Sequence, residues 1–299
     1  MPTTREIAET YRALQDEICT GLEALDGKGK FHEDSWDRPG GGGGRSRVLS
    51  HGDLIEKGGV NFSEVKGELP AEIALEYGSA ERGFFATGVS IVLHPHNPFV
   101  PIIHMNVRYF EMADGLSWFG GGIDLTPHYV EPEMAVAFHR GLKEICDAFH
   151  PSFYPEHSAW ADKYFYLGHR KETRGIGGVF YDRLKPGEPL SADELFAYSL
   201  KLGRSFVSLY ANAANPGRNK PFEEKHKQWQ KLRRGRYVEF NLVWDKGTRF
   251  GLLTDGRTES ILMSLPEEAM WLYNFEPEVG SPESETLHYL RNPQKWITH

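Results

Sequence analysis

The chain has 299 residues, 39% of them hydrophobic, which is enough to bury a substantial core in one large domain or two small ones. Its 34 Lys and Arg stand against 42 Asp and Glu, and the formal net charge of −8 argues against nonspecific nucleic-acid binding while leaving room for a local basic pocket. Cys19 and Cys146 supply neither a disulfide framework nor a zinc spacing, and no apolar run approaches the ~18 residues of a membrane span, so a cytoplasmic protein without a transmembrane segment is expected.

Ile7, Tyr11, Leu14, Ile18 and Leu22 recur at helical spacing and predict a helix over residues 4 to 25. The five glycines Gly40 to Gly44 run into Arg45 and Arg47, a pattern that fits no phosphate-loop or dinucleotide fingerprint. It reads either as a mobile loop carrying two arginines over an anionic ligand or as a plain flexible linker. Residues 46 to 66 read as one or two strands.

The stretch from Ser90 to Pro127 holds most of the unusual polar residues and reads as two strands and a glycine turn. Alternation puts Ile103, Met105, Val107 and Tyr109 on one face and His104, Asn106 and Arg108 on the other. Ser90, His94 and His96 share a parity in the strand before, and Asp124 follows the glycines Gly120 to Gly122. This region is the expected active-site wall.

Further on, Met134, Phe138, Leu142, Ile145 and Phe149 form a helical stripe with His139 at its edge, and a helix near 157 to 168 ends at His169. Residues 175 to 181 read as a strand. The capping box from Ser191 to Glu194 opens a long helix, and another is expected over 221 to 234, stopped by Gly235. From Arg236 the chain reads as an antiparallel meander with turns at 245 to 247 and 255 to 256. With no linker long enough to divide the chain, one domain over 1 to 299 is expected, α+β in class, a single large antiparallel sheet flanked by helices.

The chemistry the residues suggest stays open between two readings. His94, His104, His139 and His169 could form a nitrogen-ligand set for a metal, or each could be a packed histidine. Arg108, Arg174, Arg234, Arg236 and Arg257 suit bidentate recognition of carboxylates or phosphates, or ordinary salt bridges. The residues alone lead to a binder of a polyanionic small molecule with His and Asp available for proton transfer.

The segments VLSHGDLIEKGGVNFS, SIVLHPHNPFVP, WFGGGIDLTP, HRKETRGIGGVFYD, RRGRYVEFNLVWDKGT and RTESILMSLP together resemble oxygen-dependent coproporphyrinogen III oxidase, from FHEDSW to Trp296. The resemblance implies conversion of two propionates of coproporphyrinogen III to vinyl groups in heme biosynthesis. O2 is the oxidant, CO2 and peroxide are released, and no flavin, heme or nicotinamide is required. It also implies helices on both faces of a flat sheet and a homodimer joined through about 237 to 272.

By the same resemblance Ser90, Asn106, Val107, Arg108, Asp255, Gly256 and Arg257 contact substrate and His104 is the proton donor. Asp124 is implied to hold the pyrrole N–H groups. His94, His104, His139 and His169 match divalent-metal ligands of bacterial-type members, although other members are metal-independent, and a metal-independent enzyme is expected here. His96 is expected to have no essential role.

Overall fold

The computed structural model describes residues 2–187, 189–253 and 256–298. Helix α1 (Thr4–Asp26) opens on a reciprocal cap between Thr3 and Glu6 and ends at Gly27, whose φ of +90° suits glycine. Strands β1 (His32–Asp37), β2 (Gly42–Ser50) and β3 (Ile55–Glu68) follow, then the short α2 (Ala71–Tyr77) and strands β4 (Gly83–Pro95), β5 (Ile102–Met112) and β6 (Ser117–Thr126). After α3 (Pro132–Asp147) and α4 (Phe153–Tyr164) come the two-residue strands β7 (Tyr166–Leu167) and β8 (Glu172–Thr173), then β9 (Gly178–Leu184). Helices α5 (Ala192–Arg218) and α6 (Glu224–Glu239), a π-helical segment Phe240–Trp244, α7 (Lys246–Leu253), α8 (Thr258–Leu262) and α9 (Pro282–Arg291) complete the chain.

Seven strands pair antiparallel in the order β1-β2-β3-β4-β5-β6-β9. The sheet has one oily face and one polar face. Ile103, Met105, Val107 and Tyr109 of β5 lie on the first, fully buried in the main core with α1, α3 and α5. The polar face is covered in part by the later helices: Met263 sits over Gly59, the Ser260 and Ser46 hydroxyls are 2.7 Å apart, and Tyr237 packs with Val92 and Ile102. Helices thus flank the sheet on both sides, as expected for the class. No described helix is long and apolar enough to cross a membrane.

Four local expectations are corrected. Gly120 to Gly122 lie inside β6 rather than in a turn, which falls instead at Ala113 to Leu116, so the stretch from Ser90 to Pro127 contributes to three strands. The expected meander after Arg236 is helical: Gly235 is internal to α6, and the buried set Gln230, Arg233, Arg234, Tyr237, Phe240 and Asn241 repeats every three or four residues. The helix expected near 157 to 168 runs from Phe153 to Tyr164. Arg45 and Arg47 lie in β2 rather than in a loop or linker: Arg45 donates to Gln15 and Asp16 of α1, and Arg47 pairs with Asp16 and Glu33.

Asp26 ties the oily side together. Its buried carboxylate accepts from the backbone N–H groups of Gly29, Leu54 and Ile55 at 2.6 to 2.9 Å, while Arg218 at the end of α5 donates to the carbonyls of Leu25 and Asp26. Burial would push this carboxyl up, but the N–H donors outweigh it and hold it below its ordinary range.

Histidines buried without a countercharge add to the acid sensitivity of the fold. His157 stacks on Tyr181 beside the Tyr198 hydroxyl, and burial pushes it down to about 4 from 6.5; burial also holds His128 well below 6.5. Such a group is neutral in the fold and takes up a proton on unfolding, so its contribution is intact above 6.5 and is lost as the pH falls toward 4. At pH 5 the loss is about 2 kcal/mol for one such histidine. Urea unfolding at pH 7.5 and pH 5 should show a lower midpoint at pH 5, with a smaller drop in His157→Gln; an equal drop in that variant would remove His157 from the account.

Candidate active site

The strand register builds a floor on the polar face. One row runs Trp36, Gly44, Ser63, Gly88, Arg108 and Gly120 from β1 to β6. The next runs Asp34, Ser46, Asn61, Ser90, Asn106 and Gly122. Between Trp36 and Arg108 lie four strand spacings, roughly 19 Å, where Gly44, Ser63 and Gly88 carry only hydrogens and a short hydroxyl and the Trp36 indole lies against Gly44. A flat ligand can lie on such a floor, with acidic groups reaching the cations at its ends.

Arg108 forms one end. Its Nη1 donates to Asn106 Oδ1 and its Nη2 to Asp182 Oδ1, both at 2.8 Å. Burial opposes its charge, and the Asp182 carboxylate more than offsets this, so the guanidinium stays above its ordinary value. At the other end Arg257 pairs with Asp34 and lies 5.9 Å over the Trp36 ring.

A third row holds Val92, His104, Asp124 and Gly178. His104 Nδ1 and Asp124 Oδ1 are 2.8 Å apart, and Arg174 Nη2 donates to both Asp124 oxygens at 2.7 and 2.8 Å. Asp124 and Arg174 are 1% and 2% exposed, and the His104 side chain 19%. The guanidinium of Arg174 lies 4.3 to 4.8 Å from the ring centres of Phe165, Phe240 and Tyr237, and its Nη1 donates to Asn241. Burial would raise the Asp124 carboxyl, but Arg174 and His104 together hold it below its ordinary range. An ionised Asp124 takes the Nδ1 proton of His104 as hydrogen-bond donor, which leaves Nε2 for exchange with a ligand.

Sequence-predicted residues divide accordingly. Ser90, His104, Asn106 and Arg108 share the polar face, with Asp124 beside His104. Val107 turns its side chain into the core, so only its backbone belongs to the wall. The Gly256 N–H donates to the Gly251 carbonyl, and Asp255 lies outside the described residues. Of the other arginines, Arg234 serves the Pro95 carbonyl and Glu56, and Arg236 serves Glu239.

The four histidines do not converge. His139 Nδ1 meets the Tyr154 hydroxyl and Nε2 the Ile176 carbonyl, each at 2.9 Å. His169 accepts from Trp244 Nε1 and bonds Glu239 through Nε2. His94 Nε2 donates to the Ser264 carbonyl, leaving a buried Nδ1 with no partner. Among the described residues no three His, Cys, Asp or Glu side chains are placed to hold one ion, so the implied ligand set does not fit this geometry. His96 lies past the end of β4, exposed, near Glu56.

Sequence reasoning missed Asp182, Asn241, Tyr237 and Phe240, and left Arg174 as one arginine among several. The last three sat in segments read as strands, where a helical period carried partly by polar residues went unseen. Two cavities lie away from this wall, one of about 470 Å³ beside Lys28, Glu56 and His96, the other of about 200 Å³ beside His169, Arg170 and Trp229.

A family model described as coproporphyrinogen III oxidase matches residues 6–296. The chain is similar to the oxygen-dependent coproporphyrinogen-III oxidases of Parasynechococcus marenigrum (strain WH8102), at 49% identity, and Synechococcus sp. (strain CC9902), at 48%. Each comparison spans 95% of this chain and 85% of the relative. A match of that breadth, on a chain whose seven-stranded sheet carries an arginine-ended polar floor, places the protein in the coproporphyrinogen III oxidase family.

Proposed function

We propose that the protein catalyses the oxygen-dependent oxidative decarboxylation of coproporphyrinogen III to protoporphyrinogen IX. The observation that carries this reading is the floor of small side chains between Arg257 and Arg108, with His104 in the adjoining row. A macrocycle of four pyrroles bearing four propionates presents acidic groups at its rim, and guanidinium groups at the floor's ends answer them with charge-assisted hydrogen bonds.

Each turnover at one propionate removes CO2 and one β-hydrogen, forms the vinyl double bond, and passes two electrons and two protons to O2 to give peroxide. His104 exchanges a proton at Nε2, Asp124 fixes its ring through Nδ1, and Arg174 keeps Asp124 ionised. Ser90 and Asn106 bind along the floor. O2 is the oxidant, and the engagement of both ring nitrogens of His139 and of His169 by protein partners supports a reaction that draws on no metal held by those two.

Anaerobically prepared coproporphyrinogen III mixed with metal-analysed protein and then exposed to O2 should yield protoporphyrinogen, read as porphyrin fluorescence after oxidation, with matching oxygen uptake. Tight binding without turnover would leave a carrier instead. His104→Gln should lower kcat by about a hundredfold or more while KM stays near that of the parent. A folded variant with kcat within threefold of the parent would take His104 out of the proton transfer.

The reading includes a homodimer joined through about 237 to 272. Its support is the apolar surface there: Leu242, Val243, Trp244, Trp271 and Leu272 are exposed, and Leu253 is 81% exposed. Sedimentation of the parent should give a dimer and of Leu253→Glu a monomer at micromolar concentration; a parent that sediments as a monomer would refute this part.

A further inference from the structure

Strand β9 is irregular opposite Gly120. Phe119 pairs with Leu184 and Gly121 with Tyr181, so Asp182 and Arg183 together face the single residue Gly120. This is a β-bulge, a device that re-aims side chains. Arg183 absorbs it with a φ of +52° and turns its guanidinium onto the Tyr77 ring, 4.7 Å away. Asp182 is left along the polar face, reaching Arg108. The reach depends on Gly120, because a Cβ there would stand 2.7 Å from Arg108 Nε.

A guanidinium grips a carboxylate with two parallel bonds along either its Nη1–Nη2 edge or its Nε–Nη2 edge. Nη2 carries one hydrogen on each edge, and Nη2 is the atom that Asp182 holds. Asn106 holds Nη1 as well. A propionate arriving at Arg108 meets a guanidinium with two of its five N–H groups engaged and its charge already shared with a carboxylate 2.8 Å away, so it must compete with Asp182 for that charge.

We propose that Asp182 is an internal competitor for the substrate carboxylate at Arg108, a positioning residue that keeps the guanidinium extended over Gly120 in the free protein and yields Nη2 when a propionate binds. The inference rests on the substrate reading given above. Competition of this kind weakens every ligand that uses Arg108, product included. Protoporphyrinogen IX keeps two of the four propionates, so arginines left unopposed would hold the product as firmly as its remaining carboxylates allow. An opposed arginine lets it go.

Asp182→Asn preserves size and one acceptor while withdrawing the negative charge. The probe is coproporphyrin III, the oxidised and unreactive macrocycle, titrated by fluorescence against the parent, Asp182→Asn, Arg108→Gln and the double variant. Asp182→Asn should bind about threefold to tenfold more tightly, with a steeper loss of affinity in salt, and the gain should vanish in the Arg108→Gln background. A structural lesion would not tighten binding. Unchanged or weaker binding by an Asp182→Asn protein with the parent's unfolding midpoint overturns the proposal, and Asp182→Ser provides the same comparison if the first variant does not fold. A parent that fails to bind the porphyrin would sink the substrate reading itself, and this inference with it.

Discussion

The guanidinium of Arg174 has been taken out of water, and the sheet and its helical cover are arranged around it to make that tolerable. An unpaired buried charge costs several kcal/mol, about 3 to 5 when a partner is deleted. Asp124 answers the charge from β6 below, Asn241 answers a second N–H from the π-helical segment above, and three aromatic rings close over the plane. These groups come from chain positions 124 to 241, so the pair fixes how the helical layer sits on the sheet. His104 inherits its orientation from the same carboxylate.

How much of this was legible in the sequence depended on which atoms were buried. Strand β5 buries one face in oil and turns the other to polar space, so its alternation exposed His104, Asn106 and Arg108 directly. The segment RYVEFNLVW alternates as well, and its β-branched and aromatic residues imitate a strand. Its true period belongs to a stripe that includes Gln230, Arg233, Arg234 and Asn241, and a scan for apolar residues cannot see a helix face made partly of buried polar groups. Gly120 to Gly122 suggested a turn because turns are where glycine usually serves. Within β6, Gly120 instead admits the flat side chain of Arg108. Asp182 was out of reach by any local rule, since a bulge exists only once two strands have paired.

The cations of the wall and its cover arrive already paired. Arg108 faces Asp182, Arg174 faces Asp124, Arg257 faces Asp34 and Arg234 faces Glu56. A chain of net charge −8 can therefore present arginines to an anionic ligand without a strong standing positive field. Selectivity then comes from where several carboxylates can be met at once, across a floor of fixed width, rather than from attraction to negative charge in general. The paired state also keeps long, mobile side chains ordered before any ligand arrives, which reduces the entropy lost on binding.

The π-helical segment joins two demands in five residues. Phe240 and Asn241 turn inward to Arg174, while Leu242, Val243 and Trp244 turn outward as exposed apolar surface, a division that the extra residue in the π turn permits. Inheritance would see these demands as one. A change at an outward position that tilts the segment would withdraw Asn241 from the guanidinium and be scored in any phenotype as lost chemistry, although every group that meets the substrate was intact.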